Sequence, residues 1–160
     1  MLHLVLIAVH AISAVAAFVL GFAVVWSLPA RMNPGFRAYL VAMSLMLLFL
    51  VMAIATDWSQ LDTLKKAIFA GLLVLGAYTG LRALQAAHKL RATLDPPGYI
   101  ADVGFTLIAL FDGFVIVTAF DLGSPIWLVV IVGALGIILG VAGIHRLRRR
   151  AVNHTQVLAH

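Results

Sequence analysis

Cysteine and glutamate are both absent from this 160-residue chain, and charged residues of any kind make up only 11% of it, where a soluble domain carries about 25%. Without cysteine there is no disulfide, no thiolate metal site, no iron–sulfur cluster and no cysteine nucleophile. The signatures of conventional hydrolase and nucleotide-driven chemistry are missing as well, since the sequence holds no GxSxG, Walker A, GxGxxG or HExxH pattern. The polar stretches between apolar runs are too short to build a second core of their own, so no catalytic head is expected from a loop.

What the chain has in excess is apolar sequence. Hydrophobic residues reach 64%, against roughly 45–50% in a soluble domain, and the mean hydropathy is +1.11. Charged or proline-containing breaks divide this material into five runs, at 2–28, 38–56, 66–88, 100–120 and 125–145. Each is near or above the roughly 20 residues that a bilayer-spanning helix needs. The sequence therefore predicts an all-α bundle of five transmembrane helices over 1–150, with a mobile tail over 151–160. Pro29 and Pro34 around Asn33 and Gly35 mark the first connection as a turn, Pro96-Pro97 breaks the third, and Asp121 to Pro125 forms a tight fourth.

Basic residues near membrane ends stay on the cytoplasmic side. Arg31 and Arg37 lie in the first connection, Arg82, Lys89 and Arg91 around the third, and Arg146, Arg148, Arg149 and Arg150 at the end. The alternate side has Lys65 and Lys66, offset by Asp57 and Asp62. This asymmetry predicts an outside N-terminus and a cytoplasmic C-terminus in a bacterial cytoplasmic membrane. The first run, longer than a signal-peptide core and without a basic flank, reads as a retained helix. Trp26, Trp58, Trp127 and Tyr99, all near predicted ends, fit interfacial anchors. The net charge of +5 then reflects topology and an attraction to anionic lipid at the cytoplasmic face through the 146–150 arginines; a nucleic-acid partner is not expected.

Small residues mark packing faces, because helices in lipid associate by close approach of their backbones. His10, Ala14, Ala17 and Gly21, with Ser13 beside them, form one such stripe on the first helix. Gly76 and Gly80 form a pair on the third, and Gly133, Gly136, Gly140 and Gly143 fall on one face of the fifth. Packing within the chain is the plainer use of these faces, and a homo-oligomer or docking on a larger membrane complex is the alternative.

Asp112 is the most informative single residue, because it sits in the apolar stretch Leu107 to Ile116, far from both ends of its run. An ionised aspartate at a helix centre costs about 2.5–3.5 kcal/mol on insertion scales, so such a residue is a functional candidate by default. His10 is its candidate partner, since both lie about eight residues from the outer ends of their helices, which places them at similar depth. A His–Asp pair can share a proton, orient an imidazole toward a metal or haem, or satisfy two buried polar groups. At the inner face, Arg82, Gln85, His88 and Lys89 end the third helix and His145 ends the fifth. His88 and His145 are candidates for haem or headgroup ligation, with ordinary interfacial histidines as the alternative. Asp102, one turn into the fourth helix, is placed to pair with Arg82 or Lys89 or to complement the helix N-terminus, a structural use.

The order His10, Ala14, Ala17, Gly21, followed by a short basic turn into Gly35-Phe36-Arg37-Ala38-Tyr39-Leu40, resembles a group of small bacterial membrane proteins, some of them similar to b-type cytochromes. The likeness covers about the first 45 residues, with an echo at His88-Lys89-Leu90-Arg91. It implies haem b as a cofactor and an axial role for His10 and His88, but Phe36 stands where that pattern has a second histidine. Three readings follow from the sequence. The first is a transporter, channel-like or proton-coupled component with a buried site at His10 and Asp112; the second is a haem- or quinone-associated electron-transfer protein; the third is an accessory subunit of a larger membrane complex.

Overall fold

A computed structural model describes residues 1–27, 33–93 and 96–157. It contains five long helices, α1 (Leu2–Ser27), α2 (Pro34–Asp57), α3 (Thr63–His88), α4 (Pro96–Asp121) and α5 (Ile126–Val157). All five contain a segment long and apolar enough to cross a membrane, the make-up of a multi-pass membrane protein. Arg31 and the side chains of Arg148 and Arg150 lie outside the described residues, as do residues 158–160 and the side chains of the rest of the tail.

Helix boundaries follow local chemistry more than hydropathy. α2 starts four residues before its apolar run, because Asn33 Oδ1 accepts from the Phe36 N–H at 2.8 Å and Pro34 occupies the first turn, where a missing N–H is harmless. Asp62 caps α3 in the same way, accepting from the Lys65 N–H at 2.8 Å. The two prolines at 96 and 97 open α4 instead of interrupting it. After His88 the chain keeps winding as a π-turn through Lys89–Thr93. Gly123, at φ +66°, ends α4, and the Ser124 N–H reaches back to Ala119 O at 2.9 Å, the Schellman arrangement that favours glycine at this position. α5 runs past its apolar segment to Val157, so the arginine-rich stretch continues the helix.

Consecutive helices are antiparallel. α1 and α3 each lie against both α2 and α4, which closes a four-helix ring, and α5 sits outside it against α4. The small-residue stripe of α1 is the ring's inner seam: Ser13, Ala17 and Gly21 are buried, and a methyl on Gly21 would meet Leu107 at 3.0 Å and Tyr39 at 3.1 Å. Gly76 and Gly80 of α3 receive Leu47 of α2.

The large, fully buried side chains Phe36, Tyr39, Met43, Leu90, Tyr99, Ile100 and Val103 all gather where α1 and α3 end and α2 and α4 begin. Arg37, Lys89 and Arg91 belong to this basic end. Tyr99 is thus not an interfacial anchor. The early start of α4 turns it inward, whereas Trp26, Trp58 and Trp127 are exposed. Between α2 and α4, Tyr39 Oη lies 2.6 Å from Thr106 Oγ1. The Thr106 hydroxyl spends its one proton on Val103 O, at 2.7 Å, so Tyr39 is the donor. Tyr39→Phe should cost about 0.5–1.5 kcal/mol, the ordinary worth of one such bond, read as a lowered unfolding midpoint in detergent.

Candidate functional site

Asp112 lies on the face of α4 turned to α5. The two helices meet in antiparallel register: Gly104 faces Ile144, Ile108 faces Gly140, and Phe111 with Asp112 faces Gly136. The glycines let α5 approach until a methyl on Gly136 would stand 2.6 Å from Asp112 Oδ1 and 3.0 Å from the Phe111 ring. Asp112 is 8% exposed, and its Oδ1 is buried with no hydrogen-bond partner among the described residues. Gly133 and Gly143, expected on the same face, have nothing within 4 Å of an added methyl among the described residues, so the close seam there is made by Gly136 and Gly140.

His10 is elsewhere. Its Nδ1 is 2.9 Å from Met46 O on α2, and because a carbonyl only accepts, Nδ1 carries the proton. Gly21 lies against Leu107, so with antiparallel axes Asp112 is level with about residue 16 and roughly 9 Å further along the bundle than His10. The structure therefore does not bring His10 and Asp112 together: one sits in the α1–α2 seam and the other in the α4–α5 seam. Counting residues from helix ends gave similar depths, but it carried no information on which neighbour each face meets. Near the far end, His3 Nδ1 lies 3.2 Å from Asp57 Oδ2 and 3.4 Å from Thr56 Oγ1, a tie between the start of α1 and the end of α2 that the sequence reading missed.

The strongest electrostatic feature is at the basic end. Asp102, 1% exposed, receives Arg82 Nη1 at 2.9 Å and Lys89 Nζ at 2.7 Å. The sequence reading offered these two cations as alternatives, and the carboxylate takes both, one on each oxygen. The π-turn starts at Lys89 itself, two turns beyond Arg82, so both cations come from one face of α3. Arg82 also donates through Nε to Tyr78 Oη at 3.0 Å, and its guanidinium stacks within 5.2 Å of the Tyr78 ring and 5.5 Å of the Phe105 ring. Tyr78 lies four residues before Arg82, a spacing that could have been read from the sequence; Phe105 required the α3–α4 contact.

No family model, curated protein or solved structure matches this chain. The likeness of its first 45 residues to small bacterial membrane proteins, some similar to b-type cytochromes, therefore identifies no family. Among the described residues there is no group of three or more metal-ligating side chains. His10 stands about 16 residues, or roughly 25 Å, from the basic end of its helix, where His88 lies exposed at the end of α3 and His145 lies exposed near the end of the apolar span of α5, two helices separated by α4. These positions do not fit a haem held between His10 and His88.

Proposed function

We propose that this chain is a proton-coupled component of a bacterial cytoplasmic membrane, with its N-terminus outside, its C-terminus in the cytoplasm, and Asp112 as the group that takes up and releases the proton. The observation that carries this reading is the Asp112 carboxyl: it is held midway along α4, against the bare backbone of Gly136, with Oδ1 buried and unpartnered. Retaining a carboxyl at such a depth is costly, which makes it a functional candidate by default. A carboxyl with no counter-charge among the described residues has one simple reaction available to it, from carboxylate plus proton to carboxylic acid and back. A channel through the middle of the four-helix ring is a poorer reading, because Phe36, Tyr39, Tyr99 and Val103, all fully buried, fill that interior at the basic end. The seam between α4 and α5 is the better route to the site.

The test is proton flux into vesicles containing the purified protein, followed with an entrapped pH-sensitive dye under an imposed potential. The protein should conduct above empty vesicles, Asp112→Asn should lose at least about tenfold of that flux, as expected for removal of a proton-transfer group, and Asp112→Glu should keep part of it. Equal flux through folded wild type and Asp112→Asn would end the proposal.

A further inference from the structure

The face of α5 turned away from α4 carries a groove of about 560 Å³ lined by Ile137, Ile138, Val141, Ala142, His145, Arg146 and Arg149. It arises between two neighbouring ridges of the helix surface, one through residues 138, 142 and 146 and the other through 137, 141, 145 and 149. Ala142 is the low point of the first ridge. The groove changes character along its length: four aliphatic side chains occupy the part inside the apolar span, and the imidazole and two guanidinium groups close it at the basic end. α5 contains no acidic residue anywhere between Ile126 and Val157, so its own helix supplies no counter-charge. The apolar span of α5 is also the least covered of the five, with none of Val130–Leu147 buried.

We infer that this groove seats one anionic glycerophospholipid, with an acyl chain along Ile138, Val141 and Ala142 and its phosphate against Arg146 and Arg149. The inference rests on α5 spanning a membrane but not on Asp112 carrying protons. Charge complementarity selects the occupant: the planar guanidinium fork grips phosphate oxygens in pairs, Arg146 and Arg149 are three residues apart and so share one helix face, and the aliphatic section directly beside them matches a hydrocarbon chain. A zwitterionic lipid offers the same chain and a phosphate already neutralised by its own ammonium, so it should bind less well. The notch at Ala142 distinguishes this from a general attraction of basic residues to a charged surface, because a diffuse attraction does not depend on the size of residue 142.

The test is native mass spectrometry of protein extracted from vesicles of equimolar phosphatidylcholine and phosphatidylglycerol. Wild-type protein should retain phosphatidylglycerol in preference to phosphatidylcholine. Arg146→Gln with Arg149→Gln should reduce that preference by at least about tenfold. Ala142→Leu, which fills the notch and leaves every charge in place, should reduce retention of phosphatidylglycerol several-fold. All these positions face away from α4, so folding is checked independently by helical circular dichroism and monodispersity. If the arginine changes weaken retention while Ala142→Leu does not, the arginines act only as a charged patch and the seated lipid is refuted. A homodimer that Ala142→Leu dissociates, with lipid retention unaltered, would refute it in favour of a second copy of the chain on this face.

Discussion

Arg82→Met combined with Lys89→Met is expected to lower stability by about 3–5 kcal/mol, the usual cost of stranding a buried charge. The reasoning turns on the asymmetry of the cluster. Asp102 is 1% exposed, whereas Arg82 and Lys89 keep about a third of their surface, 34% and 33% respectively. A long basic side chain deprived of its carboxylate can extend toward the basic end and rejoin solvent, but the Asp102 carboxylate has no such freedom. Asp102→Asn should accordingly cost less, about 1–2 kcal/mol for the lost charge-assisted bonds, and adding it to the double methionine variant should restore most of the loss. Unfolding by dodecyl sulfate, followed by circular dichroism for the four proteins, gives the cycle. If the double methionine variant is no less stable than Asp102→Asn, the carboxylate does not depend on these cations.

Gly136→Leu with Gly140→Leu should force α5 away from α4. A methyl at position 136 already reaches Asp112 and Phe111, and one at position 140 collides with the side chain of Ile108. Overpacking at a close contact costs about 1–3 kcal/mol per site, and here both sites lie on one seam, so relief at one cannot come from movement toward the other. Gly133→Leu and Gly143→Leu supply the control. Neither position has a neighbour within 4 Å of an added methyl among the described residues, and a leucine there should change stability by no more than about 0.5 kcal/mol beyond its gain in helix propensity. The same titration reads the difference, and limited proteolysis at the Leu122 to Pro125 turn should be faster only in the first variant. Equal behaviour of the two double variants would mean that α5 is not held at Gly136 and Gly140.

Hydropathy was sufficient to locate five helices because an apolar run has one stable fate in a membrane, and it needs no partner to declare itself. Ends were less legible. Asn33, Asp62 and the pair at 96 and 97 shifted three helix starts, because a cap or an early proline is a local matter that an average over many residues erases. The candidate site was legible one residue at a time. Asp112 stood out because its chemistry conflicts with its surroundings, and the Asp102 cluster because two cations, Arg82 and Lys89, lie two turns apart at the end of one helix. Pairing was not legible, since counting from helix ends puts His10 and Asp112 at one depth, whereas the packed helices offset them by roughly 9 Å and turn their faces to different helices, α2 for the one and α5 for the other. The glycine row of α5 shows the same thing: four positions share a face, and only the two opposite Phe111, Asp112 and Ile108 are in close contact.

The uneven placement of the large buried side chains has a mechanical consequence. Aromatic and aliphatic bulk fastens the helices at one end, while small residues and a few aliphatics such as Leu6 and Ile54 join them at the other. Such a bundle behaves like tongs, riveted near Tyr39 and Val103, with α1 and α2 tied again at the far end by His3 and Asp57 and the α4–α5 arm freer toward Leu122. Lateral displacement grows with distance from a rivet, and Asp112 lies more than two turns beyond Val103 on the freer arm. A small spreading of α5 from α4 there would open the carboxyl to water while the riveted end stayed shut. Backbone amides around Tyr39 and Val103 should therefore exchange with deuterium more slowly than those flanking Asp112.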